Sequence, residues 1–307
     1  MPLSSPNEIK TCGFRNSLKI HGKDIRARRS INNQINPLMN FSVLISVYDK
    51  ENPEYLKAAL ESIWNKQTLR PSEIVLVKDG ILTPELDLVI EQFNSIAPLK
   101  ICRLDQNVGL GNALSIGLNL CTYELIARMD SDDISCSERF EKQIGQMKAN
   151  PDLDILGTNI TEFHNQTDKA CSHRRLPTQL ADIKCFAKKR NPLNHMTVLF
   201  KKSAVIDAGN YKPFFGYEDY YLWIRMLRNG SKIANIDEDL VFARVGNNMF
   251  ARRHGLRFFK QELRLQKELL QMDFLNNWEY SRNIFFRALP RLFPVWGLKL
   301  VYKFLHR

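Results

Sequence analysis

From residue 41 onward, short wholly apolar runs alternate with amphipathic ones. Phe41-Ser-Val-Leu-Ile-Ser-Val47 and Glu73-Ile-Val-Leu-Val-Lys78 are short and almost continuously apolar, which predicts strands buried on both faces. Between them, Pro53-Glu54 opens a stretch with Leu56, Ala59, Leu60, Ile63 and Trp64 on one face, the spacing of a helix packed on a sheet. The alternation continues with a helix from Pro84 to about Ile96, a strand from Leu99 to Leu104, a helix from Gly109 to Leu120 and a strand over Glu124 to Met129. Four strands alternating with three helices predict a parallel, Rossmann-like α/β sheet, because parallel neighbours need crossover connections. Beyond it the pattern predicts a helix over Ser137 to Met147 and a strand over Leu153 to Ile160. A polar, irregular excursion follows over Thr161 to Arg175, then a strand over Met196 to Phe200. Gly216-Tyr-Glu-Asp219 opens a helix over Tyr220 to Arg228 that ends at Asn229-Gly230, and Asp239 to Val245 is the last expected strand. After Asn248 the chain turns helical and basic.

The strand ending at Met129 runs directly into Asp130-Ser131-Asp132-Asp133. Three carboxylates therefore sit where a strand becomes a loop, the usual ligand position in open α/β sheets. Such a cluster repels itself unless cations, water or donors compensate it, and a divalent metal carrying a diphosphate is one compensator. A solvated acidic turn capping the next helix is the other reading. Glu218-Asp219 begins a helix, where the dipole favours carboxylates whatever their function. Gly109-Leu-Gly111 lacks the third glycine of a dinucleotide fingerprint and follows the third strand, so close helix packing explains it more simply.

The net charge of +11 belongs to the ends. Residues 1 to 40 carry seven Lys/Arg against two Asp/Glu, residues 250 to 307 carry twelve against four, and the body between is near neutral. A nucleic-acid binder carries its basic stripe across the folded body, so nucleic acid is excluded as a partner. The six cysteines are scattered without a C-x-x-C pair, which indicates neither a zinc site nor a disulfide framework. Residues 1 to 38 lack periodicity and precede Met39, the expected natural start. They are set aside as a leader, before a catalytic domain over 39 to 249 (nucleotide part 41 to 133, acceptor part 134 to 249) and a basic amphipathic tail over 250 to 307.

Five motifs, each on its expected element, carry a resemblance. They are Ser46-Val47-Tyr48, Lys78-Asp79-Gly80, Asn107-Val-Gly-Leu-Gly111, Ala127-Arg-Met-Asp-Ser-Asp-Asp133 and Gly216-Tyr-Glu-Asp219. From Phe41 to about Val245 the sequence resembles the family 2 glycosyltransferases of GT-A fold, particularly the bacterial subgroup building O-antigens and exopolysaccharides. The resemblance implies that Val47, Asp79, Asp130 and Arg128 contact the nucleotide sugar. It also implies that Asp132, with Asp130, ligates Mn²⁺ or Mg²⁺, with His254 as a further candidate ligand. Asp219 becomes the general base of an inverting displacement, with Glu218 orienting the acceptor. Asn194, His195, Arg174, Arg175, Arg252 and Arg253 are candidates for binding acceptor or diphosphate, against the alternative of ordinary surface charge.

The implied function is hexose transfer, with UDP-galactose or UDP-glucose favoured as the UDP-sugar donor, to an undecaprenyl-diphosphate-linked sugar. The linkage expected is β. Two other classes remain: a nucleotidyltransferase, disfavoured because Ser46-Val-Tyr-Asp-Lys50 has no glycine to cradle phosphate, and a non-catalytic, membrane-associated sugar-nucleotide-binding module. No apolar run is long enough to span a membrane. From Asn283 the tail instead interleaves Phe285, Phe286, Leu289 and Leu292 with Arg287, Arg291, Lys299, Lys303 and Arg307. That pattern predicts a helix lying on an anionic membrane surface at the cytoplasmic face, its cations toward the headgroups. The alternative is a helical hairpin packed on the catalytic domain.

Overall fold

The computed structural model describes residues 40–164, 167, 169–246 and 255–292. The expected leader, Arg252, Arg253, His254 and the tail beyond Leu292 lie outside the described residues. The predicted alternation is present as β1 (Phe41–Val47), α1 (Pro53–Ile63), β2 (Glu73–Lys78), α2 (Pro84–Asn94), β3 (Leu99–Arg103), α3 (Leu110–Leu120) and β4 (Leu125–Met129). The caps follow from the sequence: Asn52 Oδ1 accepts from the Glu54 amide at 2.9 Å and Thr83 Oγ1 from that of Leu86 at 3.4 Å, each just before a proline at the first helical position. Strands β3, β2, β1 and β4 pair in parallel in that order.

The second half contributes β5 (Ile134–Ser135), α4 (Arg139–Ala149), β6 (Ile155–Phe163), β7 (Ala170–Arg174), α5 (Leu180–Ala187), β8 (Leu199–Lys201), α6 (Lys202–Asp207), α7 (Glu218–Arg228) and β9 (Ile233–Arg244). Strand β8 joins β4 antiparallel and β6 joins β8 antiparallel. Strand β9 then runs parallel to β6, and β5 closes that edge antiparallel to β9. The sheet is therefore mixed, with its parallel half built from the first four strands. Alternation along those strands divides the core between the two faces. Leu44, Val75, Val77 and Ile126 pack with Ala113, Leu114 and Leu118 of α3 and Leu222, Trp223 and Met226 of α7. Val43, Ile45, Ile74, Leu76 and Met129 pack with α1, α2 and, through Phe140, Ile144 and Met147, α4.

Three differences from the sequence expectation have local causes. The stretch expected to be irregular over 161 to 175 is partly a hairpin in which β7 pairs with an extended β6, Ile160 opposite Arg174 and Thr161 opposite His173. Residues 170 to 173 are all exposed, so no apolar alternation marks the strand. The strand expected from Met196 begins instead as a 3-10 turn over His195–Thr197, where Thr197 Oγ1 donates to the Asn194 carbonyl at 2.8 Å. Strand β9 starts at Ile233, six residues before the expected Asp239, its polar centre Asp237-Glu238-Asp239 lying where the register against β6 shifts.

The helices after residue 255 belong to the same compact unit as the sheet. Helix α8 (Leu256–Gln271) buries Leu265 and Leu269 and also Glu262 and Gln266. Helix α9 (Asn277–Asn283) opens with a capping box between Asn276 and Glu279 and continues as a π turn over Ile284–Ala288 and a 3-10 turn over Leu289–Leu292. The expectation that the tail's cations face outward fails for two of them. Arg287 Nε lies 2.8 Å from Glu262 Oε1 and Arg291 is buried beside the same carboxylate, because a carboxylate removed from water needs cationic partners. Phe285, Phe286, Leu289 and Leu292 of the same stretch remain exposed. Residues 277 to 292 therefore turn Asn283, Ala288 and Arg291 inward and an apolar row outward.

Candidate active site

Strand β4 sends Met129 into the core beneath α1 and α4, and Arg128 to the opposite face. Immediately beyond, Asp130, Asp132 and Asp133 each offer an oxygen within 4.8 Å of the others. Arg128 is buried and paired with Asp130, while its Nε has no hydrogen-bond partner. Asp133, which sequence reading gave no role of its own, is buried too. Its Oδ1 accepts from the Arg244 amide at 2.7 Å, while Oδ2 has no hydrogen-bond partner. The Arg244 guanidinium donates to the Asp132 carbonyl at 3.0 Å and lies over the Tyr55 ring at 3.8 Å. Ser131 Oγ donates to Glu51, whose charge adds to the negative potential at the loop.

Burial, then Asp130 and Glu51, push the Asp132 carboxyl up to about 7. Burial, then Asp130 and Asp132, push Asp133 well above the usual carboxylate range. Crowded carboxylates with one orphaned buried oxygen are what a bound dication relieves, and an all-oxygen donor set suits Mn²⁺ or Mg²⁺. The residues present therefore fit such an ion, and Asp130, Asp132 and Asp133 are those that would hold it.

Arg139 supports this loop from below, a contribution that sequence reading missed because it occupies an ordinary position near the start of a helix. It is fully buried and donates to the Arg128 carbonyl at 2.7 Å and to Gln143 Oε1 at 3.0 Å. Burial lowers its pKa to about 9, while Asp133 and Asp130 are among the groups that favour its charged form. Gln143 in turn donates to the carbonyls of Leu156 and Thr197, at 3.0 and 2.8 Å. The end of β4, the start of β6 and the turn after His195 are thereby fastened together.

Val47 ends β1 with its side chain in the core, and its carbonyl accepts from the Asp79 amide at 2.8 Å. The Asp79 carboxylate is buried and accepts from the amides of Val108 and Gly109, at 2.7 and 3.1 Å. It thus pins the loop entering α3, where Gly109 adopts φ +84°. A Cβ on Gly111 would stand 2.7 Å from the Lys212 carbonyl oxygen and 3.0 Å from Glu218 Cγ. This glycine therefore serves close packing, as expected, and brings α3 against the start of α7.

Tyr217 caps α7, and Glu218 and Asp219 form its first turn. Asp219 Oδ2 accepts from Asn191 Nδ2 at 2.5 Å and Oδ1 from the Tyr220 amide at 2.7 Å. Burial raises Glu218 to about 7, backbone amides oppose the rise and Asp219 adds to it. Arg128, Asp219 and Asp130 all lie near enough for their charges to act on the Tyr211 hydroxyl, which burial raises. Helix α7 begins against the start of α3, which follows β3, so its carboxylates stand toward the carboxyl end of the parallel strands, the end at which β4 runs into the acidic loop.

The remaining candidates are dispersed. Asn194 is buried, with Nδ2 donating to the Thr158 carbonyl at 2.9 Å. His195 Nε2 lies 3.0 Å from Tyr211 Oη, and burial followed by the Arg128 charge holds its pKa well below the usual value, so it is neutral. Arg174 reaches the Asn191 carbonyl at 3.5 Å, near the partner of Asp219. Arg175 instead lines a cavity of about 380 Å³ with Lys142, Asn159 and Asp237 to Asp239, none of which belongs to either carboxylate group. Arg252, Arg253 and His254 lie outside the described residues.

A parallel half-sheet with clustered carboxylates where a strand ends, and a second acidic pair at a helix start, is an arrangement that fits a GT-A-type transferase. The comparisons agree. The family described as "Glycosyl transferase family 2" matches residues 42–209. The amylovoran biosynthesis glycosyltransferase AmsE of Erwinia amylovora is 41% identical over 266 residues, covering 86% of this chain and 98% of its own. The UDP-Gal:alpha-D-GlcNAc-diphosphoundecaprenol beta-1,3-galactosyltransferase of Escherichia coli is 36% identical over 264 residues, covering 86% and 95%. The mannosyltransferase PcManGT of Pyrobaculum calidifontis, solved in complex with GDP-Man and Mn²⁺, superposes with a TM-score of 0.62 at 13% identity, covering 91% of this chain and 79% of that one. The chain belongs to glycosyltransferase family 2 and is a glycosyltransferase.

Proposed function

We propose that the protein moves a hexose from UDP-galactose or UDP-glucose to a lipid-diphosphate-linked sugar in O-antigen or exopolysaccharide synthesis, with inversion and a β-linked product. The observation carrying this reading is the acidic cluster where β4 ends, with Asp219, whose carboxylate accepts from Asn191, at a helix start packed against α3 at the same end of the parallel strands. The name of the Escherichia relative supports the lipid-diphosphate-linked acceptor and the UDP-hexose donor, and that of the Erwinia relative supports a place in polysaccharide biosynthesis. Asp130, Asp132 and Asp133 would hold a divalent cation, which would supply positive charge to the leaving diphosphate. Asp219 takes the proton of the acceptor hydroxyl as its oxygen bonds to the anomeric carbon, and the bond from that carbon to the diphosphate breaks on the opposite side. The electron pair leaves with UDP. Glu218, adjacent and half-buried, orients the acceptor, while Val47 and the Asp79-pinned loop border the nucleoside.

The reaction takes place at the inner face of the cell membrane, the protein being held there peripherally. Exposed Trp278, Phe285, Phe286, Leu289 and Leu292 support this, and among the described residues no helix is long and apolar enough to cross a membrane. With Arg287 and Arg291 turned inward, the contact from residues 278 to 292 is principally apolar. The test is UDP release from each donor with Mn²⁺ and a synthetic lipid-diphosphate-linked sugar, with the new linkage assigned by NMR. Acceptor-dependent release and a β product are expected. An α product, or no acceptor-dependent release with either donor, refutes the reading.

A further inference from the structure

Glu262 of α8 is fully buried, yet its pKa is lowered. Burial alone would raise it; Arg287, Tyr217, Arg291 and Gln266 together outweigh that effect. The Tyr217 hydroxyl donates to Oε2 at 2.6 Å, Gln266 Nε2 to Oε1 at 2.8 Å, and Arg287 and Arg291 complete the set at 2.8 and 3.6 Å. One donor among these stands apart in function, since Tyr217 immediately precedes Glu218 and caps α7.

The same group also holds the other side of Asp219. Arg287 Nη1 donates to the Lys189 carbonyl at 2.5 Å, and Tyr220 Oη lies 3.4 Å from the same nitrogen. Asn283 Nδ2 donates to the Lys188 carbonyl at 2.8 Å and to Gln266 Oε1 at 2.9 Å, and Lys188 Nζ donates to Glu279 at 2.9 Å. The segment so fixed leads directly to Asn191, which donates to Asp219 Oδ2. The Tyr220 amide donates to Oδ1. The Asn191 and Tyr220 donors to the Asp219 carboxylate thus sit on segments fastened to the helices after residue 255. Alignment of a proton acceptor to within a fraction of an ångström governs rate far more than it governs ground-state binding.

We propose that the C-terminal helices clamp the catalytic base, with Glu262 as the positioning residue that fixes Asp219 through Tyr217 on one side and through Arg287 and the Lys188–Asn191 segment on the other. The proposal rests on Asp219 being the base. It predicts that the helices after residue 255 serve the chemical step itself, even with an acceptor free in solution.

The test uses the full chain, a water-soluble short-chain analogue of the acceptor, and temperatures well below each variant's Tm. Glu262→Gln keeps the shape and one acceptor oxygen but removes the charge that gathers the arginines. It should lower kcat for transfer about 10-fold or more with the donor KM within about twofold. In an Asp219→Asn background, Glu262→Gln should add less than about twofold, because a residue acting through Asp219 has nothing left to position. A kcat unchanged in Glu262→Gln, or a full multiplicative loss in the double variant, overturns the clamp. Should Glu262→Gln not fold, Tyr217→Phe removes one arm alone and is read by the same cycle. If Asp219→Asn alone transfers sugar at the native rate, the base assignment has failed rather than the clamp.

Discussion

Glu218→Gln should make the protein more stable at pH 8 while impairing transfer. The folded structure raises the Glu218 carboxyl from 4.5 to about 7, chiefly through burial. A group whose pKa is raised on folding binds its proton more tightly in the folded state, so stability falls as pH climbs from the unfolded value toward the folded one. The window is therefore about pH 4.5 to 7. The whole rise corresponds to about 3 kcal/mol, and partial water access to this half-buried side chain reduces it to about 2 kcal/mol. Glutamine has the same length, and its carbonyl oxygen can still accept from the backbone amides at the helix start. It carries no charge to desolvate beside Asp219.

Calorimetry of both proteins at pH 8 and pH 5 provides the comparison, since the difference between them isolates Glu218 from every other titrating group. At pH 8 the variant should melt higher by about 5 °C, and at pH 5 the two Tm values should lie within about 1 °C. A variant that is less stable at pH 8, or equally stabilised at both pH values, refutes the burial argument. Loss of transfer in the more stable protein would show that the charge is retained for the acceptor.

Asp132→Asn relieves crowding in the acidic loop, so it should abolish the rise in Tm produced by Mn²⁺ and lower transfer by about 10²-fold or more; near-native activity at low Mn²⁺ would remove the metal role. Asp219→Asn should lower transfer by about 10²- to 10⁴-fold while donor binding, read by calorimetric titration of UDP, survives. Gly111→Ala places a methyl 2.7 Å from the Lys212 carbonyl oxygen, so it should cost about 1–3 kcal/mol in urea denaturation, and a neutral result would mean that α3 is free to shift. Removing residues 283 to 307 should abolish sedimentation with anionic vesicles, and persistent sedimentation of the folded protein would assign the contact elsewhere.

Strands β1, β2 and β4 of the parallel half were legible because they are buried on both faces, whereas the part-exposed edge strand β3 was placed by its position in the alternation of helices and strands. Strand β7 was not, since Ala170 to His173 face water and leave only backbone pairing to define them. Asp130, Asp132, Glu218 and Asp219 could be named because each stands at a junction between an apolar element and a loop. Arg244 and Asn191 could not, for each acts from a distant element, Arg244 reaching the acidic loop across 111 positions of sequence; Arg139 could not because a cation near a helix start carries no mark of burial. The tail misled for a related reason. A period of apolar and basic residues fixes which positions share a face but not which face turns inward, and the deciding partner, Glu262, lies 25 residues before Arg287.

Two kinds of buried carboxylate in one chain separate function from support. Glu262 is surrounded by donors on both oxygens and its pKa falls despite complete burial. Asp132 and Asp133 lie beside Arg128, Arg139 and Arg244, yet their pKa values rise and one Asp133 oxygen finds no hydrogen. Burial is common to both, so burial cannot be the distinction. The compensation is complete where the carboxylate joins helices, and incomplete where the acids crowd at the end of the sheet. A folded chain that satisfies Glu262 so fully has the means to neutralise an acid, so the deficit at Asp130 to Asp133 is best explained by charge left for a ligand to supply.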